Sequence, residues 1–138
     1  MTHTNMIRVA ALAALLGSAL GAAPAALHVR LLRSDPADHT TLHTAPRAIS
    51  LWFSEAVQLS VTTVRMTGPN GTAVELSPPR MGEGPHAPVI VDVRMRPALG
   101  SYQVTWRTMS RDGHAANGTV SFTVSLATPA SRPQGSRR

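Results

Sequence analysis

Residues 117–126 read NGTVSFTVSL and carry the clearest β-strand pattern in the chain. Apolar residues at every second position alternate with hydroxyl-bearing residues, which is the period of a strand with one buried face. The dipeptide Asn117-Gly118 at the start of this stretch is typical of a turn. We therefore predict a turn at these two residues, followed by a half-buried strand that ends at Leu126.

Similar short runs recur along the chain, separated by Pro, Gly, Asn and Asp, and no helix of convincing length is present. The segment Gly68-Pro69-Asn70-Gly71 predicts a hairpin turn, because Asn-Gly readily adopts positive φ angles. Residues 77–87, rich in Pro and Gly, are predicted to form a loop. These patterns predict an all-β sandwich of about seven antiparallel strands. The predicted strands are 28–33, 49–53, 59–67, 72–76, 88–93, 102–106 and 120–126.

The first 27 residues have the pattern of an export signal. Arg8 supplies a positive charge, residues 9–20 are an apolar run, and small alanines follow. We predict cleavage after Ala26 or Leu27, and an uncleaved membrane anchor is the alternative. The remaining chain is predicted to contain one domain, residues 28–126, and a disordered basic tail, residues 127–138, which has no apolar period.

Length, charge and cysteine content exclude several classes of protein. A chain of 138 residues is too short for a second core. The net charge is +6, but all 13 basic residues are arginine and only five residues are aromatic, which argues against a nucleic-acid-binding surface. Because the chain has no cysteine, it has no disulfide and no thiolate zinc site. Any transition metal must therefore be held by nitrogen, oxygen or thioether groups.

The sequence Asp112-Gly113-His114 places a carboxylate and an imidazole in one predicted turn. These donors suit Cu(II), Zn(II) or Ni(II), and a mixed nitrogen and oxygen set favours Cu(II). After signal cleavage, His28 could add an amine and a second imidazole, which would complete a set of four donors. For Glu55, at the end of the strand that contains Trp52, two roles stay open. It is either a solvated carboxylate or a group that orients a ligand histidine.

The other histidines and the methionines carry no recognisable ligand pattern. His39, His43 and His86 lie in turn-like stretches and are predicted to be surface residues. The methionines are spread singly, and Met66 falls in register with Val64 on a strand, so it is predicted to pack in the core. The sequence therefore predicts no thioether site for Cu(I).

Taken together, five blocks of sequence resemble the CopC family of periplasmic copper-binding proteins. They are LLxSxPAD, LWFSEAV, GxYxVxWR, SxDGH and GTVSFTV, spread over residues 31–124. The resemblance implies a Greek-key β-sandwich of cupredoxin-like or immunoglobulin-like shape. It also implies that Cu(II) is bound by the amine and imidazole of His28 and by Asp112 and His114, with Glu55 beside the metal. A monomeric copper carrier or buffer that delivers to a CopD-type inner-membrane copper transporter is the implied function.

Three departures from the family pattern stand out. Leu27, and not alanine, precedes His28, so cleavage after Ala26 would make His28 the second residue. The methionine-rich loop of some members is absent, and Ala115 follows the D-x-H motif where many members have proline. Two alternative functions remain: an oxidative enzyme with a copper-binding histidine brace, and a metal-free immunoglobulin-like structural module. We predict a binding protein and no enzymatic activity, because an aspartate among the ligands leaves little open coordination.

Overall fold

The computed structural model describes residues 28–127. The predicted signal segment 1–27 and all but the first residue of the predicted tail lie outside the described residues. The described part contains nine β-strands and two single-turn 3₁₀ helices, at Leu59–Val61 and Pro69–Gly71. The strands are β1 (Leu31–Asp35), β2 (Thr40–Leu42), β3 (Ala48–Phe53), β4 (Thr63–Thr67), β5 (Ala73–Val74), β6 (Arg80–Met81), β7 (Val89–Asp92), β8 (Gly100–Met109) and β9 (Ala115–Val124).

The strands form two sheets that face each other, which confirms the predicted all-β sandwich. One sheet has four strands in the order β1-β3-β7-β6, and the other has five in the order β2-β9-β8-β4-β5. All neighbouring strands are antiparallel except β2, which runs parallel to the end of β9. Within residues 28–127 there is no helix with the length and apolarity needed to cross a membrane.

The core lies between the two sheets and is built from alternate residues of their strands. Two aromatic pairs organise it: the rings of Tyr102 and Phe122 stack with centroids 5.5 Å apart, and Phe53 meets Trp106 edge to face at 5.1 Å. Met66 is buried in this core, as the strand register predicts. The other buried members are aliphatic: Ile49, Leu51, Val91, Val104, Val120 and Val124.

The longest pairing joins β8 to β9, from Gly100 opposite Val124 to Met109 opposite Ala115. The predicted turn at Asn117-Gly118 is wrong, because both residues lie inside β9 and the chain reverses at residues 110–114. Gly118 is opposite Trp106, and a Cβ atom at position 118 would lie only 2.6 Å from the indole Cζ2. This glycine therefore makes room for the indole and does not mark a turn.

All seven predicted strands overlap strands of the structure, which has nine, but their lengths differ. The turn at Asn70-Gly71 is confirmed, with φ angles of 60° and 73°. The predicted strand 59–67 is strand only from Thr63, because a 3₁₀ turn occupies its first part. Two very short strands, β2 and β6, were not predicted, and β6 lies within the predicted loop 77–87. Strands of two or three residues show too little alternation to be recognised in sequence.

Replacing Gly118 with valine should destabilise the fold by about 1 to 3 kcal/mol, because the new side chain must displace the buried Trp106 indole. Equilibrium unfolding in urea measures this loss. Asn117→Val, one residue away on the exposed face of the same strand, is the matched control and should change stability by less than about 0.5 kcal/mol. Equal losses of stability in the two variants would show that the Trp106 indole does not need the space left by Gly118.

Candidate metal centre

The turn between β8 and β9 holds the predicted D-x-H pair, and backbone hydrogen bonds fix its shape. The amide of Ser110 donates to the carbonyl of His114 at 3.0 Å, and the amide of Gly113 donates to the carbonyl of Ser110 at 3.1 Å. Gly113 has a φ of 92°, in the region that favours glycine. The turn therefore presents Asp112 and His114 from a closed backbone loop at one end of the sandwich.

The carboxylate of Asp112 is bound on both of its oxygens. The Ser110 hydroxyl donates to Oδ1, and Oδ2 lies 2.9 Å from Nδ1 of His114. The Ser110 hydrogen bond first, and then the bond to His114, lower the pKa of Asp112 below its ordinary value. Because an ionised carboxylate only accepts, Nδ1 of His114 donates, and its Nε2 is the atom left to bind a metal.

Ser110 is a residue whose role the sequence analysis did not identify. It is fully buried, and besides binding Asp112 its hydroxyl accepts a hydrogen bond from the His114 amide at 3.2 Å. Its carbonyl accepts from the Gln58 side chain at 2.7 Å, so the base of the turn is tied to the segment before β4. The Ser-x-Asp spacing was visible in the sequence, but only the burial of Ser110 shows that it positions the carboxylate.

His28 reaches the same end of the molecule because the residues after it are fastened to β3. Val29 is buried, with 4% of its surface exposed. The Arg30 amide donates to Ser54 Oγ at 3.0 Å, and the Arg30 carbonyl accepts from the Ser54 amide at 2.8 Å. The chain start and the β8–β9 turn, far apart in sequence, therefore meet.

The imidazoles of His28 and His114 have ring centroids 5.8 Å apart and planes tilted by 40°. Metal–nitrogen bonds are about 2.0 to 2.1 Å, so two imidazoles on one ion have centroids about 4 to 6 Å apart. The observed spacing fits a shared ion. Among residues 28–127, no three His, Asp or Glu side chains form a ready-made ligand cluster.

Glu55 lies on the segment that connects the chain start to the β8–β9 turn. Ser54, before it, is bonded to Arg30, and Val57, after it, forms an isolated bridge with Ser110. Its side chain is half-buried. The residues around Glu55 therefore link the chain start to the β8–β9 turn, and this position is compatible with either of the two roles left open for the carboxylate.

The other three histidines in the described part of the chain are exposed, as predicted. His39 has 84% of its side chain exposed and lies 3.4 Å from Asp38, measured from Nε2 to Oδ2. His43 and His86 are also exposed. None of the three makes a ring contact with another histidine in the described part of the chain, which separates them from the pair at 28 and 114.

Comparison with known proteins gives the family. Residues 31–125 match the CopC domain. The chain belongs to the CopC family. Copper resistance protein C of Escherichia coli is 33% identical over 118 residues, which cover 78% of this chain and 90% of that protein. Protein YobA of Escherichia coli (strain K12) is 32% identical over 97 residues, covering 70% of this chain and 78% of that protein.

The solved structure of a copper resistance protein shares the fold. The crystal structure of PcoC, described as a methionine-rich copper resistance protein from Escherichia coli, superposes with a TM-score of 0.64 at 27% identity. The match covers 71% of this chain and 99% of PcoC. Copper resistance protein C and PcoC are both named for copper resistance. The matched CopC domain begins after His28.

Ser110→Ala should raise the pKa of Asp112 toward its ordinary value, because the hydroxyl is the main group that stabilises the carboxylate. The anionic Asp112 helps hold the turn above the ordinary pKa of aspartate, and this help is lost as pH falls through the lowered value. A carboxyl NMR titration measures the change. Ser101→Ala, at the far end of β8, is the control and should leave the Asp112 titration unchanged; no difference between the variants would contradict the assignment.

Proposed function

We propose that this protein is exported to the periplasm, holds Cu(II) there, and acts as a carrier or buffer in copper homeostasis or resistance. The observation that carries the proposal is the approach of the His28 and His114 rings to 5.8 Å from distant parts of the chain. Membership of the CopC family supports it, and so do the names of the copper-resistance relatives.

The donors at this end of the sandwich suit Cu(II) better than other ions. Imidazole nitrogens with a carboxylate oxygen fit the tetragonal coordination of Cu(II), which also heads the affinity order of the divalent first-row metals. The proposed ligands are His28, Asp112 and His114. When signal cleavage leaves His28 at the chain start, its amine is a fourth donor. The amine must lose its proton to bind, so Cu(II) competes with protons for the site.

In this proposal the Asp112 carboxylate gives up its hydrogen bond with His114 and binds the metal ion. In the structure its carboxylate accepts from Nδ1 of His114, and an ion on Nε2 lies on the far side of the same ring. A direct bond from Asp112 to that ion therefore requires the carboxylate to exchange the imidazole for the metal. The hydrogen bond holds both side chains in the turn until the ion arrives.

An exposed site suits a protein that receives and releases an ion. The side chains of His114 and Asp112 are 53% and 59% exposed, so a partner can reach the metal without unfolding of the sandwich. We propose delivery to a CopD-type inner-membrane copper transporter by a monomeric carrier. Glu55 is proposed to orient one of the histidines from the segment between β3 and the first 3₁₀ turn.

Alanine at His28, Asp112 or His114 should weaken Cu(II) binding by more than about 100-fold, because each removes a direct ligand, and loss of an indirect partner alone costs 10- to 100-fold. Competitive titration with a copper chelator measures the affinities. His39→Ala is a matched control, since His39 also has a carboxylate neighbour but no second histidine. This variant and His86→Ala should bind Cu(II) as the wild type does.

Equal losses in the site variants and in the two controls would refute the assigned site. Electron paramagnetic resonance of the Cu(II)-loaded protein adds an independent check on the donor set. Nitrogen couplings from two imidazoles are expected in the wild type and from one in His114→Ala. The absence of any bound Cu(II) would leave the metal-free structural module as the function.

The exported protein should begin at Leu27 or at His28, and intact-mass measurement of material from the periplasm distinguishes the two. A start at His28 gives a chelate of its own amine and imidazole. With Leu27 first, we expect the Leu27 amine, an ionised amide and the His28 imidazole to bind. A mass that retains residues 1–27 would contradict the cleavage and favour the uncleaved anchor.

A further inference from the structure

The end of the sandwich opposite the proposed Cu(II) site is built from four connecting segments. β8 begins at this end with Gly100 and finishes beside the β8–β9 turn, and its ten residues at about 3.3 Å each separate the two ends by about 30 Å. Gly100 is opposite Val124 on β9, and the Val93 amide donates to the Arg47 carbonyl at 2.8 Å. We call this surface the far end, and it comprises residues 43–47, 68–71, 93–100 and 124–127.

Three large apolar side chains are exposed at the far end. Leu126 is 71% exposed, Met95 70% and Leu99 53%. Within residues 28–127, Leu32 is the one other large hydrophobic residue with more than half of its surface exposed. The connection that carries Met95 and Leu99 is tied down, because the Tyr102 hydroxyl donates to the carbonyl just before Leu99 at 2.8 Å. The fold therefore concentrates exposed apolar surface at this end.

The far end is also positively charged. Its four segments contain no acidic residue and three arginines, at positions 47, 94 and 96. Arg94 lies beside Glu75, because the Arg94 amide donates to the Glu75 carbonyl at 3.0 Å. Asp92, the acid just before the third segment, is bound by the Arg80 guanidinium at 3.1 Å. Neither acid forms an ion pair with an arginine of the far end.

Arg47 and Arg96 line a common cavity of about 250 Å³ at this end. Thr44 adds a hydroxyl to the wall, and the other lining residues are apolar: Ala45, Pro46 and Val93. Within the described range neither arginine has an ion-pair partner. Because guanidinium groups bind phosphate oxygens through paired hydrogen bonds, two of them with a hydroxyl suit a phosphate group.

We propose that the far end docks on an anionic lipid bilayer, with a headgroup phosphate in the cavity lined by Arg47 and Arg96. The side chains of Met95, Leu99 and Leu126 then lie against the boundary between headgroups and acyl chains. Basic and apolar side chains on one surface reinforce each other at such a boundary. A free anion would satisfy the arginines but would leave these three apolar side chains in water.

Charge beyond the described residues has the same sign. Residues 128–138, which follow the far end in sequence, contain three arginines and no acidic residue. With the far end on a bilayer, the rings of His28 and His114 lie about 30 Å away at the opposite end, by the length of β8. The Cu(II) site therefore stays open to water and to a partner. Docking goes beyond the proposed copper binding and does not require it.

Vesicle co-sedimentation of the exported protein tests the proposal. The protein should bind vesicles of phosphatidylcholine and phosphatidylglycerol in equal parts, and it should not bind phosphatidylcholine alone. Added salt should weaken the binding, because it screens the arginines. Replacing both Arg47 and Arg96 with glutamine should weaken binding by about 10-fold or more.

Arg65 and Arg107 provide the matched control for this loss of two charges. Both are exposed on the outer face of the five-stranded sheet, away from the far end, and in the described part of the chain neither forms an ion pair. Replacing both with glutamine should weaken vesicle binding by less than about 3-fold. Equal losses in the two double variants would overturn the proposal, because net charge alone would then explain the binding.

Leu99→Ser and Leu32→Ser form a second matched pair of exposed leucines, at 53% and 66% exposure. Leu99→Ser should weaken vesicle binding by about 3-fold or more, because it removes apolar contact with the lipid. Leu32→Ser should bind as the wild type does. Equal binding by both leucine variants would show that the apolar side chains of the far end do not meet the lipid, and would overturn the proposal.

NMR titration with inorganic phosphate separates a lipid from a free anion. Shifts at Arg47 and Arg96 with phosphate, but no binding to anionic vesicles, would overturn the membrane assignment. The Cu(II) resonance spectrum of the Arg47 and Arg96 double variant should match that of the wild type, which also shows that the variant is folded. Vesicle binding is measured without copper, so its failure and the failure of the proposed Cu(II) site are distinguishable.

Discussion

The ladder between β8 and β9 supports both the core and the proposed metal centre. Its inward residues, among them Trp106 and Phe122, supply much of the buried surface of the sandwich. Its closed end is the turn that presents Asp112 and His114. Because Ser110 is buried at the junction, the carboxylate and the imidazole are attached to the most extensively paired strands of the fold. A binding site built on such a support loses little conformational freedom when an ion arrives.

The proposed copper site joins two regions that are far apart in the sequence. The chain start is held by Val29 and by the hydrogen bonds between Arg30 and Ser54. The segment after Ser54 then crosses to Ser110 through the bridge at Val57. The two histidines thus meet on a frame made by both sheets, yet their rings remain at the surface. Rigid support with an exposed ion is the combination expected of a protein that exchanges its cargo.

The alternation of apolar and polar residues predicted the fold class and most strands. The two Asn-Gly dipeptides were both predicted to be turns, and only one of these predictions was correct. Asn70-Gly71 forms the predicted hairpin turn with positive φ angles, whereas Asn117-Gly118 lies within β9. The two dipeptides are identical, and the difference is the partner across the sheet. Opposite Gly118 is the Trp106 indole, which leaves no space for a side chain. The residues adjacent to Gly118 in the sequence do not reveal that Trp106 lies opposite it.

Residue types and their periodicity alone establish an all-β chain without thiolates, and they identify Asp112-Gly113-His114 as a turn with metal-binding donors. They also single out His28, through its place after the signal-like segment. Two features depend on packing between distant strands: the approach of His28 to His114, and the burial of Ser110, whose hydroxyl positions Asp112. Contacts of this kind arise from sheet register and packing, and the local pattern of a strand does not specify its partner.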